Sequence, residues 1–119
     1  SINQIFIFGP EDGVILEGNE YKPRIIAFFD NPGTYRYIIG SVIEGDTLRS
    51  GVSINEQTGH LTTIENGLPD QDVIISVLFR QADVNRYQDD CVITIKKKIY
   101  PTQIEIKGPA EITEDASYV

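Results

Sequence analysis

The sequence predicts an all-β chain folded as a two-sheet sandwich, and three observations carry that expectation. Turn signals recur at short, regular intervals. The segments between them are strand-length and rich in β-branched and aromatic residues. No window keeps a 3.6-residue apolar period for three turns, so no substantial helix is expected. A chain of 119 residues has room for one such core and a little more.

Alternation assigns the faces, because successive side chains on a strand point to opposite sides. The first strand is expected at Asn3–Phe8, with Ile5 and Ile7 on the core face and Phe6 and Phe8 outward; "FGPEDG" ends it. Val14–Leu16 is a short run between turns. Glu20–Asp30 reads as one strand, with Pro23, Ile25, Ala27 and Phe29 inward and Lys22 and Arg24 outward. After "DNPG", Thr34–Val42 places Tyr35, Tyr37 and Ile39 together and turns Arg36 away. Gly51–Asn55 and His60–Ile64 flank the turn "EQTG". Asp72–Ala82 sets Val73, Ile75, Val77 and Phe79 against Ser76 and Arg80. "ADVNRYQDD" reads as the next turn region, and Asp89–Ile99 as the last strand, with Cys91, Ile93 and Ile95 opposing Thr94 and Lys96.

Charge narrows the function classes. The formal charge of −8 repels phosphate backbones, so no nucleic acid is expected as a partner. The one basic clump, Lys96-Lys97-Lys98, reads as the solvated end of a strand. No apolar run approaches the roughly 20 residues of a membrane span. The chain opens without a secretory leader, which leaves it cytosolic, already processed, or cut from something longer. A lone Cys91 forms no internal disulfide and reads as a small buried apolar residue.

Motifs for chemistry are absent. His60 is the single histidine, and no serine sits in a "GxSxG" elbow. Asp70 and Asp72, then Asp83, Asn85, Asp89 and Asp90, offer oxygen ligands in acidic stretches, but neither stretch has the spacing of a calcium loop. Asp and Asn also belong in turns for their backbone hydrogen bonds. Glu11, Asp12 and Glu17 read as turn or edge residues rather than a glycosidase pair. No enzyme activity, catalytic residue, metal or cofactor is expected.

The carboxyl end repeats the amino end. Gln4–Pro10 matches Gln103–Pro109 in spacing, and skipping Gly13 and Val14 aligns Ile15, Glu17 and Tyr21 with Ile112, Glu114 and Tyr118. Eight of the 17 aligned pairs are identical, where chance gives about one. The period, just under one hundred residues, is the size of an immunoglobulin-like sandwich. Residues 1–100 are therefore expected to form one unit, and residues 101–119 a linker and the first strand or strands of a second, truncated repeat. In that second copy Glu105 and Lys107 replace Phe6 and Phe8, which makes two outward phenylalanines conspicuous.

Two stretches carry a resemblance. "GVSINEQTGHLTT" is similar to a small strand, Thr-Gly turn and Leu-Thr strand, and "CVITIKKKIYPTQIEIKGPAEI" to a repeat junction, of the bacterial immunoglobulin-like domains found in tandem in surface proteins. Tyr37 stands where that family commonly carries a Trp. The resemblance implies an extracellular module on the bacterial cell surface and no shared catalytic residues. A non-enzymatic spacer or adhesive module in a tandem array is the leading expectation, with neighbouring repeats of the same chain as partners. The alternatives are a carbohydrate- or host-protein-binding module using Phe6, Phe8 and Tyr87 as a contact surface, or an accessory domain of a secreted hydrolase. Residues 103–107 could also replace the first strand of a neighbour in a strand-swapped homo-oligomer.

Overall fold

The computed structural model describes residues 2–42 and 47–100, and everything described is strand, turn or extended chain. The second repeat expected over residues 101–119, and the swapped strand at residues 103–107, lie outside the described residues. Among the described residues nine strands follow in order: β1 (Gln4–Phe8), β2 (Val14–Leu16), β3 (Glu20–Tyr21), β4 (Arg24–Phe28), β5 (Thr34–Val42), β6 (Val52–Ile54), β7 (Leu61–Thr63), β8 (Gln71–Gln81) and β9 (Val84–Lys96).

They pair into a four-stranded sheet β2-β9-β8-β5, a two-stranded ribbon β1-β4 and a three-stranded sheet β3-β7-β6. The run expected as one strand over Glu20–Asp30 divides at Lys22-Pro23. Pro23 has no N–H to give a ladder. Before it β3 pairs β7, and after it β4 pairs β1. The same stretch of chain therefore belongs to both small sheets.

One core lies between these small sheets and the four-stranded one. Ile5, Ile7, Ile15, Tyr37, Val52, Leu61, Val73, Ile75, Val77, Phe79, Ile93 and Ile95 form it, which follows the alternation of the sequence on β1, β5, β8 and β9. Gly59 has φ +78°, and a side chain there would begin 2.8 Å from the Tyr37 ring, so glycine is what lets that ring sit against the β6–β7 turn.

Two readings change. The stretch "ADVNRYQDD" is not a loop: Gln81 pairs Val84, so the chain reverses on Ala82-Asp83 alone and runs on as strand through Asp90. Both turn residues have positive φ, at 50° and 62°, which is the geometry of a two-residue hairpin. Beyond the turn a bulge places one extra residue, Arg86, on β9, as Phe79 pairs Tyr87 while Arg80 pairs Asn85. Ser76, expected outward, is buried, as is Leu78. β8 is central in its sheet, and on this face Leu78 is flanked by Arg36 and Gln88 and Ser76 by Ile38 and Asp90, so neighbours on both sides screen these positions.

Candidate functional site: an aromatic flank and a buried carboxylate tie

Phe6 and Phe8 stand on the outward face of β1, 40% and 37% exposed. The β4 ribbon adds Ile26 and Phe28 to the same face, 44% and 56% exposed, with Phe6 directly opposite Ile26. The patch thus holds four large apolar side chains rather than two. Arg24 closes one end, its guanidinium 5.1 Å from the centre of the Phe8 ring. The parity of positions 26 and 28, out of phase with the inward set of that strand, was the signal in the sequence for the missing pair.

Tyr87 occupies a different place from the one expected. It lies in β9 opposite Phe79, half-buried, with its ring tilted against Phe29 at 5.3 Å, and not in an acidic loop. The structure nevertheless brings it to Phe6: a shallow groove of about 220 Å³ between β1 and β9 is lined by Asn3, Gln4, Ile5, Phe6, Tyr87 and Gln88. Phe8 is not part of it. Across that seam the amide of Ile7 donates to Asp89 Oδ2 at 2.9 Å, so a side chain stands in for ladder pairing between the two strands.

Both carboxylates of the first acidic stretch have structural partners. Asp70 accepts from the amide of Lys97 at 2.6 Å, and Asp72 accepts from the Thr94 hydroxyl at 2.5 Å. Among the described residues, no three His, Cys, Asp or Glu side chains gather as a metal site. His60 Nε2 meets Glu20 Oε1 at 2.6 Å on an exposed, open groove of about 500 Å³ whose other polar groups include Ser53, Asn55, Thr58 and Thr62. The arrangement supplies an imidazole–carboxylate pair, and among the described residues no hydroxyl hydrogen-bonds the imidazole.

Glu17 is the residue sequence reasoning misplaced most. Expected as a turn or edge group, it is 2% exposed. Its carboxylate accepts from Arg49 Nη2 at 2.6 Å and from the amides of Asn66, Gly67 and Lys98 at 3.1, 3.1 and 2.9 Å. The Lys98 amide above all, then that of Asn66, hold its pKa down at about 2, against the opposing pull of burial. Arg49 is itself buried and donates onward to the carbonyls of Leu68 and Pro69 and to Asn66 Oδ1. Neighbouring contacts hold the chain after β9: Lys98 pairs with Glu65 at 3.7 Å, and the Tyr100 hydroxyl donates to Glu65. The one hint in the sequence was Glu114, the repeat's match for Glu17.

No known protein family, curated protein or solved structure matches the chain.

Proposed function

We propose that the chain is a non-enzymatic, immunoglobulin-like module of an extracellular bacterial surface protein, and that it serves as a load-bearing spacer in a tandem array. The strand orders support the immunoglobulin-like part. With β3 and β4 taken as one interrupted strand, β1, β4/β3, β7 and β6 follow the order A-B-E-D, and β5, β8 and β9 the order C-F-G. The repeat of Gln4–Pro10 at Gln103–Pro109 supports the array.

One observation carries the load-bearing role. β2, near the amino end, pairs in parallel with β9, the last strand among the described residues, at Val14–Thr94, Ile15–Ile95 and Leu16–Lys96. The bonds from Thr94 N to Gly13 O at 2.8 Å and from Glu17 N to Lys96 O at 2.9 Å extend that pair. Tension applied through the two ends of the module draws parallel strands past one another, so the bonds are loaded together rather than one at a time. A spacer needs that property, and a soluble binding domain does not.

Single-molecule pulling of the full chain tests this. Attachment near the two ends should give a rupture force at least about twofold higher than attachment through positions 31 and 83, which unzips the antiparallel β5–β8 pair bond by bond from its Thr34–Arg80 end. Equal forces in the two geometries would remove the load-bearing role, since rupture tracks the unfolding rate along the pulled coordinate.

The Phe6–Tyr87 groove favours a second reading, a carbohydrate- or host-protein-binding module, because it joins an aromatic face to the amides of Gln4 and Gln88. A glycan array with wild type, Phe6→Ala and Tyr87→Ala distinguishes it: binding lost in both variants supports this reading, and an unreactive wild type removes it.

A further inference from the structure

We propose that the free edge of β4 pairs with the same edge of a second copy, about a two-fold axis at Ala27. Among the described residues β4 pairs only β1. The Ile7 amide points away from β4 to Asp89, and Ile7 stands opposite Ile25, so the backbone groups of Ile25 and Ala27 are directed to the open side. The Asp30 amide, on the β1 side, is held by Asn3 Oδ1 at 3.1 Å, which keeps the chain extended past Phe28.

The segment Arg24-Ile25-Ile26-Ala27-Phe28-Phe29-Asp30 complements itself when run antiparallel. With Ala27 opposite Ala27 of the second copy, Ile25 meets Phe29, Ile26 meets Phe28 and Arg24 meets Asp30, twice over by symmetry. Ala27–Ala27 and Ile25–Phe29 fall at hydrogen-bonded positions. Ile26–Phe28 and Arg24–Asp30 fall at the intervening positions, where side chains approach more closely. Ile26 and Phe28, the most exposed apolar side chains of the ribbon, cover each other, and opposite charges close both ends. No proline or lysine falls within Arg24–Asp30 to blunt the edge: Lys22 and Pro23 precede the segment and Pro32 follows it.

Few side chains are buried, so the interface belongs to the small, concentration-dependent class. It does not depend on the spacer reading; in an array it would join neighbouring chains side by side.

Sedimentation equilibrium of the full chain from about 10 µM to 1 mM, at about 0.15 M salt, tests it. A monomer–dimer equilibrium is expected. Arg24→Asp and Asp30→Arg should each weaken it at least about tenfold, and the doubly reversed chain should recover to within about threefold of wild type. Both positions are exposed, and the recovery separates lost pairing from lost folding. A monomer throughout, single reversals without effect, or a double variant that fails to recover would overturn the proposal. So would a dimer abolished by Ile104→Asp and indifferent to Arg24→Asp, which would assign association to residues 103–107.

Discussion

Ala82 and Asp83 turn the longest hairpin with φ angles that L-residues adopt at a cost, about 1–2 kcal/mol for a residue such as alanine. Asn-Gly at the same two positions suits that geometry. Ala82→Asn with Asp83→Gly should therefore raise stability by about 1–2 kcal/mol, read as a higher urea midpoint at unchanged slope. Cys91 makes a second residue-scale case. Burial first, then the carboxylates of Asp89 and Asp90, push its thiol up to about 11. At pH 8 its alkylation by iodoacetamide should be slower than that of the urea-unfolded chain by roughly two orders of magnitude. Equal rates would contradict a half-buried cysteine whose thiol the fold shields.

At the scale of elements, what the sequence announces depends on whether local pattern or distant pairing decides. Alternation on β1, β5, β8 and β9 names Ile5, Ile7, Tyr37, Val73, Ile75, Val77, Phe79, Ile93 and Ile95, which are buried, while Tyr35, assigned inward by the same pattern, is 39% exposed, and Ile39 and Cys91 are half-buried. The hairpin between β8 and β9 was hidden because Ala-Asp carries none of the glycine signal such turns usually show, while the Asp- and Asn-rich stretch beyond it imitates a loop. Pairing with β8 overrides that local preference from Val84 onward. β2 is only three residues long, and nothing in "VIL" announces a parallel partner eighty residues away. Its weight in the fold can be measured. Ile15→Ala removes the buried side chain at the centre of the β2–β9 pair and should cost about 2–5 kcal/mol. A comparable change at Leu16, which points outward, should cost under about 1 kcal/mol. Similar losses at both would mean that β2 is not seated on the core.

At the scale of the molecule, Glu17 joins parts of the chain that are far apart in sequence: its own strand end, Arg49, the loop at Asn66 and Gly67, and Lys98 after β9. Nothing local could reveal this, since a carboxylate after a short strand looks like any turn residue until the fold closes around it. Its titration reports on that closure. The pKa falls from an ordinary value near 4.5 to about 2 on folding, so the folded state binds the proton less well than the unfolded one. Ionised Glu17 therefore favours the fold. That contribution is complete above about pH 4.5 and is lost as the pH falls toward 2. Glu17→Gln lacks the titrating group and leaves Arg49 buried without its counter-charge. Urea midpoints of the two chains should differ most at neutral pH, with the variant weaker, and should converge as the pH drops from 4.5 toward 2. Other carboxylates titrate alike in both chains and cancel in the difference. A gap that stays constant across that range would mean that the carboxylate is not held by Arg49, the Asn66–Gly67 loop and Lys98, and the chain leaving β9 would then lack the anchor that fixes its direction.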